Sequence, residues 1–214
     1  KPSSRRRKRK GPSATARQNA RAIVLASRSQ SSSHPAGELV LGLDLSLAGT
    51  GVVLLGQDSD GPVIVAHALL QTSSSERPGK LPAPSGRVSG KTYRGSTSQR
   101  IRWIGNSVKH LCERYGDDIC LVSIENHGFA ATGAGKSQLG ELHGVVKDRL
   151  LDVGIPWTVW SSMTLKKTAT GDGHASKAEM IQAAKRKGFK ACHNDDEADA
   201  FWAAQHAMNQ MFPF

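Results

Sequence analysis

A single aspartate, Asp44, lies within an otherwise apolar run from Leu39 to Leu55, "LVLGLDLSLAGTGVVLL". A buried carboxylate is costly unless it is paired or binds a metal ion, so this position constrains the fold around it more than any other. The small residues directly after it keep the space beside the carboxylate open. An isolated aspartate more often caps a tight turn. The choice between the two depends on where the other acidic residues lie.

The remainder of the chain from Leu39 onward predicts a mixed α/β domain. Leu39–Leu43 and Gly51–Leu55 are predicted strands around a turn at Leu45–Thr50, and "PVIVAHALL", "ICLVSIENH" and "PWTVWSS" are predicted to be further strands. Apolar spacing predicts helices in "SQRIRWIGNSVKHLCERYG", in Ser137–Val153, in "SKAEMIQAAKRKG" and in "DDEADAFWAAQHAMNQM". A meander followed by alternating strands and helices indicates a mixed sheet with helices on both faces.

The basic charge is concentrated at the start of the chain. Ten of the 29 lysines and arginines precede Glu38, which leaves 19 against 18 acidic residues in the rest of the sequence. Residues 1–37 are therefore predicted to form a flexible, disordered basic arm that attaches loosely to nucleic acid backbone, and 38–214 the folded domain. Residues 73–98, rich in Ser, Gly and Pro and mostly basic in charge, are predicted to form a long mobile loop.

Composition excludes several classes of protein. No apolar run approaches the roughly 20 residues of a membrane span, so a soluble protein without a membrane partner is expected. Cys112, Cys120 and Cys192 are widely spaced and form no C-x-x-C pair, which argues against a disulfide framework and a zinc site.

The acidic residues of the domain form a set. Glu125 ends a second apolar strand, and Asp196 and Asp199 are three residues apart at the start of the last helix, on one helical face. The helix dipole alone would explain acids in a first turn, although it explains Asp199 poorly. Together with Asp44 they offer four carboxylates, the hard oxygen ligands that Mg²⁺ requires. A pair of such ions can activate water for phosphodiester cleavage.

Five segments then carry a family resemblance. In chain order they are "LGLDLSLAGTGVVLL", "VSIEN", "LGELHGVV", "LKKTATGDGHASKAEM" and "DDEADAFWAAQHA". They resemble the successive motifs of RuvC-type Holliday junction resolvases, from about Leu39 to Ala207. The resemblance implies an RNase H-like fold, a homodimer, and cleavage of four-way junction DNA by paired nicks with two Mg²⁺ ions, for which Mn²⁺ substitutes.

The resemblance also implies residue roles. Asp44, Glu125, Asp196 and Asp199 match the metal-binding catalytic carboxylates, and Lys166 and Lys177 match basic contacts to DNA and the active site. Lys177 could also be a surface lysine of a first helical turn. The segment "QLGELHGVVKDRLL" matches the dimerisation helix, in which Gly140 and Gly144 would permit close helix approach; intrachain packing explains them equally well.

Further DNA contacts are predicted in and around the loops. Phe129 follows the predicted catalytic glutamate in a Gly-rich loop, where it could stack on unpaired bases or fold back on the core. Lys136 of the same loop is a candidate phosphate contact, and Arg100 is a further predicted DNA-binding residue.

The sequence therefore predicts a structure-selective, Mg²⁺-dependent endodeoxyribonuclease. Two other classes stay open at this point: an actin-like ATPase or phosphotransferase, which needs a second domain for which the chain has little room, and a non-catalytic DNA-binding protein. The cytoplasm or nucleoid of a bacterial or phage-infected cell is the expected location, with an organelle as the alternative. The sequence does not identify a partner helicase.

Overall fold

The structure is a computed structural model that describes residues 38–59, 61–74, 87–89, 92–126 and 134–212, with the backbone alone at 87–89, 134 and 136. The predicted arm at 1–37 and the predicted contact Phe129 lie outside these ranges. Within the described part of the chain, no helix is both long enough and apolar enough to span a bilayer.

The described strands form one mixed, seven-stranded sheet. They are β1 (Leu39–Asp44), β2 (Gly49–Asp58), β3 (Gly61–Ser74), β4 (Arg87–Ser89), β5 (Thr92–Gly95), β6 (Ile119–Asn126) and β7 (Trp157–Ser161). Their order across the sheet is β4-β5-β3-β2-β1-β6-β7. The first three strands form the predicted antiparallel meander, whereas β1, β6 and β7 run parallel to one another. The predicted mixed sheet is thus confirmed.

Five helices cover the two faces of this sheet. They are α1 (Thr97–Tyr115), α2 (Ala134–Val153), α3 (Ser162–Thr170), α4 (Lys177–Arg186) and α5 (Asp195–Met211). Alternation along β1 sends Leu41 and Leu43 into one apolar core with α1 and α2, and Val40 into a second core with α3, α4 and α5. The prediction of helices on both faces is confirmed, and it matches an RNase H-like fold.

One prediction about local structure was wrong, and one helix was not predicted. The predicted loop at 73–98 is partly regular structure: residues 73–74 end β3, Arg87–Ser89 pairs with Thr92–Gly95 as β4 and β5, and Ser96 caps α1. Tyr93 of β5 stacks on Trp103 of α1. The short α3 was not predicted at all, because its Thr-rich sequence has little apolar periodicity. Its ends do carry ordinary signals, an N-cap at Ser161 and a left-handed Gly171 after the last turn.

A candidate metal-binding active site

Two acidic residues meet where parallel strands β1 and β6 end. The register places Leu43 opposite Ile124, so Asp44 and Glu125 follow side by side at the same edge of the sheet. Both side chains are buried, with 3% and 2% of the residue surface exposed. Burial of two neighbouring carboxylates is the costly arrangement that the apolar run around Asp44 suggested from the sequence.

A third carboxylate comes from helix α5. Ligand oxygens of Asp44, Glu125 and Asp199 all lie within 4.8 Å of one another. Asp199 is half-buried, one turn into α5, with its carboxylate facing the two strand ends. Residues 155 positions apart in the sequence are therefore brought to one point by the packing of the last helix on the central strands.

Two glycines allow α5 to pack this closely. A Cβ on Gly51 of β2 would lie 1.9 Å from the carbonyl oxygen of Asp196, and a Cβ on Gly42 of β1 would lie 1.9 Å from that of Ala200. Any side chain at either position would collide with helix backbone, which cannot rotate away. The two glycines thus set the distance between Asp199 and the strands.

The three neighbouring carboxylates repel one another when they are ionised and no cation is bound. Burial, together with the charges of Glu125 and Asp44, raises the pKa of Asp199 to about 8, and nearby Lys166 opposes that rise. A group with this pKa is largely protonated at neutral pH, because a third negative charge is disfavoured here. Oxygen donors that converge from three elements fit a hard divalent cation such as Mg²⁺, whose charge would stabilise all three in ionised form.

Asp196 does not belong to this group of three. Its backbone carbonyl faces Gly51, and its Oδ2 lies 2.9 Å from where a Cβ on Gly49 would be, beside the turn that follows Asp44. The four-carboxylate set predicted from the sequence is therefore a cluster of three in the described residues, with Asp196 adjacent to the turn. Its assignment as a metal ligand and catalytic residue stays a prediction.

The predicted lysines lie next to the acidic cluster. Lys177, at the first position of α4, forms an ion pair with Asp195, and the pKa of Lys177 is raised first by that partner and further by Asp196 and Asp199. The pKa of Asp195 is lowered by the same lysine. Lys166 is half-buried on α3, close enough to act on the pKa of Asp199.

Arg100 is directed toward the interior, where it contacts the turn after Asp44. Its Nε donates to Thr72 Oγ1 at 2.7 Å, and its Nη2 donates to the carbonyl of Leu47 at 2.8 Å. Thr72 also donates from its hydroxyl to Leu47 and from its amide to the carbonyl of Ala48, at 3.0 Å. Arg100 therefore joins α1, β3 and the turn. Its predicted DNA contact stays a prediction.

Sequence reasoning missed the buried residue Glu197. It accepts hydrogen bonds from Asn194 Nδ2 at 2.8 Å and is paired with His67 Nδ1 at 2.9 Å, which fastens the first turn of α5 to β3. The spacing Asn194-x-x-Glu197, close to a capping box, was the available signal. Of the predicted loop contacts, Phe129 lies outside the described residues, as does the Lys136 side chain.

Comparisons with known proteins were made by sequence and by structure. The chain matches no protein-family model. It is 31% identical over 87 residues to the crossover junction endodeoxyribonuclease RuvC of Ruegeria pomeroyi, a match that covers 41% of this chain and spans about half of that relative (52%). It is 22% identical over 164 residues to the protein of the same name from Rickettsia conorii, covering 76% of this chain and 91% of the relative.

Solved structures of similar fold were also found. Thermus thermophilus RuvC superposes with a TM-score of 0.62 at 20% identity, covering 81% of this chain and 95% of that one. The structure of T. thermophilus RuvC in complex with Holliday junction substrate gives a TM-score of 0.63 at the same identity, with 81% and 94% covered. At these identities the likeness shows a shared fold.

Proposed function

We propose that this chain, whose predicted resemblance to RuvC-type Holliday junction resolvases is confirmed by sequence and fold, is itself a metal-dependent endonuclease that resolves four-way DNA junctions. The observation that carries this proposal is the convergence of Asp44, Glu125 and Asp199 within 4.8 Å at one edge of the sheet. A protein that only binds DNA gains nothing by presenting three carboxylates to a phosphate backbone.

The clustered carboxylates would bind the metal ions at the scissile phosphate. Asp44, Glu125 and Asp199 would hold two Mg²⁺ ions, or Mn²⁺ in their place, with Asp196 as a further candidate ligand. Bound Mg²⁺ would supply a lowered pKa for the attacking water and neutralisation of the phosphate charge. The water oxygen would form a bond to phosphorus while the P–O3′ bond breaks, and the proton lost by the water would pass through solvent to the leaving O3′. The products are then a 5′-phosphate and a 3′-hydroxyl, as the resemblance implies.

Basic residues beside the cluster would orient the DNA. Lys177 carries a 78% exposed side chain next to the cluster, so its ion pair with Asp195 can exchange for a phosphate contact that offsets transition-state charge. Lys166 would contact the same strand from α3. Arg100, Lys136 and Phe129 are further candidate contacts, the last by stacking on unpaired bases near the crossover.

A homodimer would give the paired nicks. Helix α2 has an exposed surface that includes Gly140, Gly144 and Leu151, and Leu151 is 68% exposed. Apart from the neighbouring backbone of α2 itself, no atom of the described residues lies within 4 Å of a Cβ built on either glycine, so a second helix could approach closely there. Two active sites related by a two-fold axis suit a four-way junction, which has approximate two-fold symmetry itself.

The test is cleavage of a labelled four-way junction beside linear duplex of the same sequence, with Mg²⁺, Mn²⁺ or EDTA, using the wild-type chain and Asp44→Asn; ATP hydrolysis is measured in parallel. We expect symmetric nicks in the junction with Mg²⁺, none with EDTA, and loss of cutting but not of junction binding in Asp44→Asn. Binding without cutting in Mg²⁺ or Mn²⁺ would refute the proposal in favour of a non-catalytic DNA-binding protein. Turnover of ATP would refute it in favour of the phosphotransferase class.

A further inference from the structure

A second concentration of positive charge lies at the far end of α4 from the acidic cluster. We define the α4 basic patch as Lys185, Arg186, Lys187 and Lys190, of which all but the half-buried Lys185 are exposed. From residue 180 to residue 194 the chain contains these four cations and no acidic residue. Among the described residues, none of the four forms an ion pair.

The helix dipole explains only part of this patch. Cations in the last turn of a helix are stabilised by its carbonyl end, which accounts for Lys185 and Arg186. Lys187 lies at the C-cap and Lys190 lies beyond the helix, where that effect has fallen off. Among the residues that the structure describes, the exposed acid at the adjoining strand ends is Asp58, which pairs with Gly61 next to Pro62; the Pro62 carbonyl oxygen lies 3.8 Å from a Cβ built on Gly188.

The geometry of α4 relates the patch to the acidic cluster. Lys177, which is paired with Asp195 beside the cluster, begins the helix, and Arg186 ends it. Nine residues at 1.5 Å each separate them by about 14 Å. Duplex DNA carries about one phosphate charge per 1.7 Å of its axis, so about eight phosphates lie along that length. One helix thus joins the side of the acidic cluster to the basic patch over a length that several backbone phosphates of a duplex would span.

We propose that the α4 basic patch binds the phosphate backbone of a duplex arm that leaves the active site along α4. This rests on the proposed function, because it requires DNA at the acidic cluster. The contacts would be to phosphates, which position a duplex without reading its sequence. The patch would therefore raise affinity for every arm sequence equally and leave the chemical step unchanged.

The test compares two double variants of the full chain with the same loss of charge. Arg186→Gln/Lys190→Gln removes two patch cations, and Lys109→Gln/Arg114→Gln removes two from α1, on the opposite face of the sheet. Dissociation constants for a four-way junction are measured in EDTA at salt concentrations from about 50 to about 200 mM, where each phosphate contact contributes about 0.9 to the logarithmic salt slope.

For the patch variant we expect the slope to fall by about 1.8, junction affinity to fall about tenfold or more at about 100 mM salt, and kcat at saturating junction to stay unchanged. The α1 variant should keep the wild-type slope. Equal salt slopes in all three proteins would overturn the proposal that the patch binds DNA. The proposed function would still stand if the wild-type chain cut junctions. Wild-type chain that neither binds nor cuts junctions would refute the proposed function instead. The patch variant could instead keep the wild-type salt slope for DNA but lose binding to an immobilised acidic protein that the wild-type chain retains. That result would assign the patch to a protein partner and overturn the DNA proposal.

Discussion

Replacing Gly51 by alanine should separate the three clustered carboxylates, which we propose to be catalytic, without removing any of them. The new Cβ would lie 1.9 Å from the Asp196 carbonyl oxygen. Carbon and oxygen in contact are normally about 3.3 Å apart, so helix α5 or strand β2 must shift by about 1.4 Å. Overpacking of this kind costs about 1 to 3 kcal/mol of folding stability. A shift of about 1 Å at a catalytic group can lower the rate about 100-fold.

The neighbouring glycine provides a matched control. A Cβ on Gly49 would meet Asp196 Oδ2 at 2.9 Å, the end of a side chain that can rotate, whereas the contact at Gly51 is backbone. Gly49→Ala should therefore cost less stability. If Asp196 is not required as a metal ligand, it should also cut junctions at close to the wild-type rate.

The assay measures three quantities on each variant: thermal unfolding, the Mn²⁺ concentration that gives half-maximal cleavage, and kcat on a four-way junction. For Gly51→Ala we expect a folded but less stable protein, a higher Mn²⁺ requirement and about 100-fold slower cutting. Wild-type unfolding and wild-type kcat in Gly51→Ala would show that α5 does not set the carboxylate spacing, and the reasoning would be wrong.

Three further predictions concern the pKa of Asp199, the hydrogen bonds of Arg100 and the basic arm at 1–37. Because burial and the neighbouring carboxylates raise the pKa of Asp199 to about 8, folded Asp199 keeps its proton over a pH range in which unfolded Asp199 has lost it. In EDTA, wild-type stability should therefore fall as pH rises from about 5 to about 8. Asp199→Asn should flatten that dependence in urea unfolding, and an unchanged slope would contradict the raised pKa. Arg100→Lys should lower thermal stability and kcat, since lysine cannot donate to both Thr72 and Leu47, yet keep the salt slope of junction binding; a shallower slope would instead support a DNA contact. Deleting residues 1–37 should weaken affinity for any DNA and flatten its salt dependence while junction cleavage persists, and an unchanged slope would exclude backbone attachment by the arm.

The sequence was most informative about the strands. One charged residue in an apolar run identified Asp44, and a second strand that ends in Glu125 supplied its neighbour, because period-two burial and strand ends are local signals. The spacing of Asp196 and Asp199 predicted that both face one way on a helix. This spacing did not indicate that Asp199, and not Asp196, lies with the strand carboxylates, because that depends on how α5 packs on β1 and β2.

What the sequence did not reveal depends on contacts between distant segments. In the sequence, Gly42 and Gly51 look like ordinary strand glycines. The structure shows that each one leaves room for the backbone of α5, at Ala200 and Asp196. Arg100 carried the signal of a surface cation in an amphipathic helix, although its hydrogen bonds lead inward to residues 28 and 53 positions away. Such pairings have no local periodicity, so single-sequence patterns do not predict them.

The docking of α5 on Gly42 and Gly51 has a consequence for protein synthesis. The strand that carries Asp44 leaves the ribosome 155 residues before Asp199. A nascent chain that ends between Glu125 and Asp199 has two of the three carboxylates and lacks the helix that covers β1 and β2. The acidic cluster therefore forms only after α5 has been synthesised, and if the cluster has the proposed function, products truncated before α5 should not cut DNA.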